Sequence, residues 1–143
     1  MTTDEIRTFI ERYVDAWERE DVSTLMNCYA NNARIESPMF HTILGRADIE
    51  KSFKDVFRAF DKWKFTMEDL IIDRSVEDRA VLVFTSEVTH RGDLFGMPGT
   101  GRRVENSGAF IIRLENGRIV SERRLYDFTG LLVQLGVLKA RAV

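Results

Sequence analysis

Apolar residues at helical spacing predict two amphipathic helices in the N-terminal part of the chain. Over residues 6–17 they recur three and four positions apart, with charged residues between them. Thr2 and Glu5 have the spacing of a capping box at the start of this helix. Asp21 is placed to cap a second, shorter helix through residues 25–29. The first pattern is therefore helix followed by helix.

A third helix is predicted from about Arg46 to Phe60, where apolar and mostly aromatic residues form one stripe. Such a stripe is typical of a packed core. Between the second and third helices, a short strand is predicted at 33–37. The segment PMFHTILG, residues 38–45, is predicted to be a loop.

From residue 64 onward the pattern changes to apolar-rich runs separated by turn residues, which predicts β-strands. The Asn116-Gly117 dipeptide supplies the positive φ angles of a tight type I′ hairpin turn. Several runs are apolar on both faces, so helices should cover one face and another subunit is a candidate for the other. The four predicted strands cover residues 64–73, 79–90, 103–115 and 118–127 and form an antiparallel meander. Together with the N-terminal helices, this meander predicts an α+β fold.

Strand alternation divides the last strand into two faces and places Asp127 at its end. Beyond Asp127 the apolar spacing becomes helical as far as Gly136, a residue suited to end a helix. One predicted face carries Ile119, Ser121, Arg123, Leu125 and Asp127, and the other carries Val120, Glu122, Arg124 and Tyr126.

A carboxylate at this junction has two interpretations, which the residues alone leave open. As a helix N-cap, Asp127 accepts a hydrogen bond from the amide of Thr129 or Gly130, and the positive helix end favours its ionised form. In an apolar pocket at the end of the sheet, burial instead raises its pKa and prepares it to transfer protons near neutrality. The two interpretations predict opposite pKa shifts.

Composition and charge narrow the class of protein to one cytoplasmic domain spanning residues 1–143. Lys and Arg number 21 against 23 Asp and Glu, so the net charge of -2 supplies no long-range field for nucleic acid or an anionic membrane. The N-terminal stretch is too charged for a secretory signal, and no apolar run is long enough to span a bilayer. The single cysteine, Cys28, excludes an internal disulfide and is predicted to be core packing.

No metal or cofactor is predicted. His41 and His90 are the two histidines, and their separation fits no familiar zinc motif. The glycines of residues 96–101, GMPGTG, are interpreted as a tight loop, because no helix follows that could help to hold a phosphate.

Two segments of the chain resemble a known family. The loop HRGDLFGMPGTGR at 90–102 and the segment LENGRIVSERRLYDFTGLLVQLG at 114–136 are similar, in order and spacing, to motifs of the SnoaL-like polyketide cyclases of the NTF2-like superfamily. The resemblance extends over roughly residues 5 to 136. It implies a cone-shaped barrel, with N-terminal helices packed on a curved antiparallel sheet around an apolar pocket, and commonly a homodimer formed through the sheet.

The resemblance also implies cofactor-free acid/base chemistry, an intramolecular aldol closure of a hydrophobic, carbonyl-bearing small molecule. In the family, an aspartate at the position of Asp127 removes a proton from a carbon between carbonyls and returns one to the aldol oxygen. The family places a histidine where this chain has Arg113, and arginine can hold an enolate oxygen but cannot shuttle protons near neutral pH. His90 is a candidate second proton carrier or hydrogen-bond donor, with a loop histidine that fixes the backbone as the alternative.

The other predicted site residues are substrate contacts. Arg113 or Arg123 is a candidate oxyanion contact, with a surface charge as the alternative for Arg113 and an ion pair with Asp127 as the alternative for Arg123. The remaining predicted substrate contacts are His41, in the loop expected at the pocket entrance, and the apolar residues Trp17, Phe57 and Met97.

Because this superfold hosts many functions, other roles stay open. One is a noncatalytic protein that binds a small hydrophobic ligand, in which Asp127 is only a cap. Hydroxylase-accessory, isomerase and protein-interaction roles are further alternatives. Epoxide hydrolysis ranks lower, because the Arg-x-Asp pair of the limonene-type epoxide hydrolases falls near Val88 and His90.

Overall fold

A computed structural model describes residues 1–139 of the chain. It shows an α+β fold in which N-terminal helices pack on one face of a curved six-stranded sheet, as the sequence predicts. This covered face is called the inner face below, and the opposite one the outer face. The elements are α1 (Thr3–Glu18), α2 (Val22–Asn27), β1 (Tyr29–Ser37), β2 (His41–Leu44), α3 (Arg46–Ala59), β3 (Phe60–Asp73), β4 (Asp78–His90), β5 (Arg103–Glu115), β6 (Arg118–Tyr126) and α4 (Phe128–Gln134).

The strand order is β2-β1-β6-β5-β4-β3. Strands β3 to β6 form the predicted antiparallel meander. Strand β1 adds to β6 in parallel, and β2 pairs antiparallel with β1 at the edge. The parallel pairing joins the N-terminal half of the chain to the last strand, so residues of β6 lie in the middle of the sheet.

Local sequence signals at the ends of elements are confirmed. The Thr2 side chain and Glu5 form the predicted capping box of α1, and Asp21 caps α2 by accepting the Thr24 amide. Asn116 and Gly117 have φ angles of 51° and 74°, as a type I′ turn requires. Short-range hydrogen bonding explains these successes, because each signal acts within four residues.

The prediction of a loop at 38–45 is wrong for its second half, because His41 to Leu44 form β2. Pairing with β1 provides the backbone partners that this short run could not signal by itself. Ser37 shapes the connecting turn, since its Oγ accepts the amides of Met39 and Phe40 at 3.1 and 3.2 Å. The first strand also begins earlier than predicted, at Tyr29.

The predicted face of Ile119 is wrong, because β6 contains an irregularity. Ile119 pairs with Leu114, but Ser121 pairs with Arg113, so one extra residue, Val120, lies between them on β6. Such a bulge reverses the alternation. Ile119 therefore shares the buried inner side with Glu122 and Arg124, whereas the sequence pattern groups it with Ser121.

The outer face retains exposed apolar side chains. Ile71, Ile111 and Leu125 are 54%, 39% and 44% exposed. Within residues 1–139, no helix is both long and apolar enough to span a bilayer.

Candidate functional site

An apolar cavity of about 60 Å³ lies between the inner face of the sheet and the helices. In each of the strands β3, β4 and β5, every second side chain points toward the cavity. Helices α1 and α3 cover its other side. Its wall is mostly aromatic and includes Trp17, Phe60, Trp63, Phe65, Phe84 and Phe110.

The aromatic rings of this wall pack directly on each other. Phe65 stacks on Phe84 with 4.9 Å between ring centroids, and Phe84 lies 4.8 Å from Phe110. Trp17 of α1 stacks on Phe65 at 5.5 Å. These contacts connect the first helix to the centre of the sheet and make the wall rigid.

One guanidinium, that of Arg124, is part of this apolar wall. Its side chain is 5% exposed, and its Nε donates to Glu122 Oε2 at 2.7 Å. Its Cζ lies 5.2 Å from the ring centroid of Trp17, 5.5 Å from Phe53 and 5.3 Å from Phe110. Its Nη2 is buried and has no hydrogen-bond partner among the described residues. A charged donor is therefore left unpaired at the cavity.

Two tyrosines hold the other side of the Glu122 carboxylate. Glu122 Oε1 accepts the hydroxyl of Tyr13 at 2.6 Å and that of Tyr29 at 2.8 Å, and the two hydroxyl oxygens are 3.0 Å apart. We call Tyr13, Tyr29, Glu122 and Arg124 the buried charge cluster. Both oxygens of Glu122 are engaged within it, which fixes the direction of the Arg124 side chain.

Burial and the neighbouring charges shift the pKa values of the cluster. Burial by itself would lower the pKa of Arg124, but the Glu122 carboxylate raises it above its ordinary value, so the guanidinium stays charged. Burial, followed by the Glu122 charge, raises the pKa of Tyr13 and of Tyr29 well above the usual range. Both phenols therefore remain neutral donors near neutral pH.

We expect stability to fall in alkaline solution because of these phenols. The chain has three tyrosines, and burial also raises the pKa of Tyr126. Their unfolded pKa is about 10. A raised folded pKa means that their contribution is complete below that pH and is lost as the pH rises toward the folded values. In a spectrophotometric titration, tyrosinate should appear only together with loss of near-UV circular dichroism. Tyrosinate formed near pH 10, as in an acetyl-tyrosinamide control, with an intact fold would contradict this.

Asp127 has the geometry of the N-cap interpretation. It is exposed, and its Oδ1 accepts the amide of Gly130 at 2.8 Å at the start of α4. Its side chain borders an open polar cleft of about 730 Å³ on the outer face, together with outward residues such as Thr85 and Ser107. Asp127 does not line the apolar cavity, although the cleft and the cavity share Ser86 and Asn106 in their walls. The apolar pocket expected around Asp127 is replaced by a polar cleft.

His90 follows Phe84, Ser86 and Val88 on the inner side of β4 and is completely buried. Its Nδ1 accepts the backbone amide of Thr100 at 3.2 Å, which anchors the loop at 90–102. That bond places the ring proton of the neutral side chain on Nε2, which has no partner among residues 1–139. In this tautomer His90 can donate a hydrogen bond but cannot accept a proton at Nε2.

Neither of the two arginines predicted as oxyanion contacts reaches the cavity. Arg113 points outward and pairs with Glu77 and Glu115 at 3.4 and 2.8 Å. Arg123 is exposed on the outer face, and no ion pair joins it to Asp127 among the described residues. For Arg113 this is the surface-charge alternative that the sequence left open, and the alternation of β6 turns Arg124 inward instead of Arg123.

Of the four remaining predicted contacts, only Trp17 lines the cavity. Phe57 packs behind the wall, 5.6 Å from the Trp17 ring. Met97 is half-buried in the loop at 90–102, where it bridges to Leu94. His41 is exposed at the start of β2.

Sequence reasoning missed Glu122 and Arg124 as site residues. A straight alternation groups the apolar Ile119 with Asp127, which makes that side of β6 look buried. The available signal in the sequence was that Glu122, Arg124 and Tyr126 alternate on one face of β6. This strand lies in the middle of the sheet, where charged residues are rarely buried unless they are paired. Two charged side chains buried on one face are expected to pair with each other, because an unpaired buried charge is costly.

The described residues contain no group of three or more His, Cys, Asp or Glu side chains that could hold a metal ion. Cys28 is buried, as predicted, and burial together with the Glu122 charge raises the pKa of its thiol to about 11. The thiol is therefore protonated near neutrality and unsuited to act as a nucleophile.

Comparison with known proteins gives the following matches. A family model described as SnoaL-like polyketide cyclase matches residues 7–135. Aklanonic acid methyl ester cyclase DnrD of Streptomyces peucetius is 43% identical over 47 residues, which are 33% of this chain and 32% of that protein. The match thus spans about a third of the length of that relative.

Solved structures show the same fold over nearly the whole chain. AclR from Streptomyces galilaeus, described as a candidate hydroxylase, superposes with a TM-score of 0.84 and 25% identity, covering 99% of this chain and 91% of AclR. TsrD from Streptomyces laurentii superposes with a TM-score of 0.82 and 22% identity, covering 96% of this chain and 99% of TsrD.

Proposed function

Since the chain belongs to the SnoaL-like polyketide cyclase family, we propose that it binds a hydrophobic, carbonyl-bearing small molecule in the cavity on the inner face. We further propose that it catalyses cofactor-free proton transfer on this molecule, as in an intramolecular aldol closure. The observation that carries the proposal is Arg124, whose buried Nη2 lacks a partner among the described residues, in a wall that is mostly aromatic.

The chemistry needs a proton acceptor and a group that stabilises an oxyanion. A base takes the proton from the carbon between two carbonyls, and the electron pair moves onto the carbonyl oxygen as an enolate. The enolate carbon then bonds to a second carbonyl carbon, whose oxygen receives the proton. Arg124 Nη2 is suited to the enolate oxygen, because a fixed charged donor in an apolar site stabilises developing negative charge strongly.

Two carboxylates are candidates for the base. Glu122 is on the inner side of β6 and adjoins the cavity through Arg124, but three hydrogen bonds hold it. Asp127 is the residue that the family resemblance indicates, and it lies on the outer face. Glu122 is the nearer of the two to the cavity, because it pairs with Arg124 of the wall, but it does not line the cavity itself. The catalytic role of Asp127 stays a prediction. This role requires the acidic carbon of the ligand to reach the polar cleft beside Asp127.

A deuterium-exchange assay tests the proposal without knowledge of the natural substrate. The protein should accelerate exchange at the acidic carbon of an aryl β-keto ester in D₂O, followed by NMR. Arg124→Lys should slow the exchange by about 10²–10³-fold, the effect of removing an oxyanion donor. Arg123→Lys, an exposed neighbour on the same strand, is the control and should not change the rate. Equal rates in the two variants would remove Arg124 from the mechanism.

The same assay separates the two carboxylates. Asp127→Asn removes the charge but keeps an N-cap, whereas Asp127→Ala also removes the cap and should cost about 1 kcal/mol of stability. If Asp127 acts only as a cap, Asp127→Asn retains the exchange rate. If Asp127→Asn abolishes exchange while the fold stays intact, Asp127 is the base.

A noncatalytic ligand-binding function is the second candidate. The specific observation in its favour is that Glu122 is already fully hydrogen-bonded inside the buried charge cluster, which leaves no free base at the cavity wall. Binding of the β-keto ester without acceleration of exchange would select this function.

We also propose that the chain forms a homodimer through the outer face. Ile71, Val81 and Ile111 are aligned across three strands by their pairing and form an apolar row there. Ile111→Lys should convert a dimer to monomer in sedimentation, because dimerisation would then bury an unpaired charge. Val76→Lys, at a 90% exposed turn position, is the control. A monomeric wild type, or a dimeric Ile111→Lys, would contradict the proposal.

A further inference from the structure

The unpaired polar atoms around the cavity indicate the chemical class of its ligand, an inference that rests on the proposed function of the cavity. Four buried side-chain atoms lack hydrogen-bond partners in the described part of the chain. Three of them, Trp17 Nε1, His90 Nε2 and Arg124 Nη2, are N–H donors on the inner side of the fold. The fourth, Asp61 Oδ1, belongs to a carboxylate whose other oxygen pairs with Arg91 away from the cavity wall.

Trp17 and Arg124 both line the cavity. A buried donor without a partner costs about 1–3 kcal/mol, and more when the donor is charged. Two such donors on one apolar wall are complementary to a ligand that supplies acceptor atoms. A ligand that presents only donors would leave both unsatisfied.

The position of the guanidinium favours an anionic acceptor. Aromatic rings lie close to Arg124 from Trp17, Phe53 and Phe110, and its Nε is used by Glu122. Neither terminal nitrogen of the guanidinium donates a hydrogen bond to another described residue, so both remain for a ligand. The negative charge of Glu122 is held on its other side by the hydroxyls of Tyr13 and Tyr29.

We infer that the cavity takes the anionic oxygen of a ligand, a carboxylate or a conjugated enolate, on the terminal nitrogens of Arg124, with Trp17 Nε1 as a second donor. Tyr13, Tyr29 and Glu122 are positioning residues that hold the guanidinium toward the ligand. Recognition is therefore directed at the acidic end of the molecule, and the aromatic wall contacts the apolar atoms next to it.

The size of the cavity sets which part of the ligand is enclosed. Its volume of about 60 Å³ is below the roughly 150 Å³ of an engineered cavity that holds benzene. Only the acidic group and a few adjoining atoms are enclosed. Phe40 lines the cavity and packs 6.0 Å from Phe95, which is 66% exposed, so the wall continues to the surface at this pair. The remainder of the ligand lies against these two rings.

Intrinsic fluorescence provides a direct test, because the two tryptophans of the chain, Trp17 and Trp63, both line the cavity. Benzoate, benzamide and benzylammonium have nearly the same shape and differ in charge and hydrogen bonding. We expect benzoate to quench the fluorescence with an affinity about 10–100-fold above that of benzamide, the range of a charge-assisted hydrogen bond. Benzylammonium should not bind.

Variants assign the preference to its donor. Arg124→Met should remove the preference for benzoate over benzamide, whereas Arg123→Met, on the opposite face of β6, should retain it. A second measurement needs no variant in the cluster. In an amide correlation spectrum, the indole N–H signal of Trp17, assigned by Trp17→Phe, should move downfield with benzoate.

Each result has a definite meaning. Benzamide or benzylammonium binding as tightly as benzoate would overturn the inference and leave the cavity as a ligand site. Preference for benzoate that survives in Arg124→Met, with an unmoved Trp17 signal, would also overturn it. Absence of quenching by all three probes would overturn the inference. The proposed function is tested separately, and it would be contradicted if the β-keto ester neither binds nor undergoes exchange.

Discussion

Glu122→Gln should lower the free energy of unfolding by about 3–5 kcal/mol, the cost of removing one partner from a buried ion pair. The substitution leaves the Arg124 guanidinium charged, since arginine does not lose its proton in proteins. Its side chain is 5% exposed, so water cannot replace the lost carboxylate. The hydroxyls of Tyr13 and Tyr29 also lose a charged acceptor.

Chemical denaturation of single and double variants measures this effect. Arg124→Met alone leaves the Glu122 charge buried and should also be strongly destabilising. The double variant Glu122→Gln with Arg124→Met removes both charges and should be clearly more stable than the sum of the single effects predicts. Additive losses would show that the two charges act independently, and the buried charge cluster would have no energetic basis.

Phe110→Ala should lower the free energy of unfolding by a similar amount, about 3–5 kcal/mol, the usual cost of removing a buried aromatic ring. Phe110 is 3% exposed and lies at the centre of the inner face. Its ring contacts those of Tyr13, Trp17, Phe65 and Phe84, and it also packs against the Arg124 guanidinium. Rigid neighbours of this kind cannot collapse into the space that the ring leaves.

Thermal or urea unfolding of Phe110→Ala is compared with that of Val76→Ala. Val76 is 90% exposed in the turn between β3 and β4, so its truncation should change stability by less than about 0.5 kcal/mol. A loss below about 1 kcal/mol in Phe110→Ala would mean that the wall relaxes around the missing ring. In that case the cavity would be adaptable instead of preformed.

The helices and hairpins of this protein could be predicted because their signals act over short distances. The capping box of Thr2 and Glu5 and the N-cap at Asp21 each satisfy backbone amides three residues away. The turn at Asn116 and Gly117 needs only two residues with positive φ. The family resemblance of residues 90–102 and 114–136 likewise depends on local motifs, and it indicated the fold that the structure shows.

The site was predicted less well, since it depends on which face of β6 is buried. A single extra residue, Val120, reverses the alternation between Ile119 and Ser121, and the neighbouring strands determine where that bulge occurs. The prediction followed the face of Asp127, but the structure turns Glu122 and Arg124 toward the cavity. The role predicted for His90, a proton carrier or hydrogen-bond donor, stays a prediction, and its anchoring bond to the Thr100 amide could be seen only in the loop geometry.

The sequence by itself determined the α+β class, the helix caps, the antiparallel meander and the membership of the SnoaL-like family, because these depend on periodicity and on contiguous motifs. The tertiary structure alone decided that β1 pairs in parallel with β6 and that Tyr13 and Tyr29 meet Glu122 across the core. It also decided that Arg124 is the charged group at the cavity. These are contacts between residues far apart in the chain, and the identities of the residues do not specify such contacts until the sheet has formed.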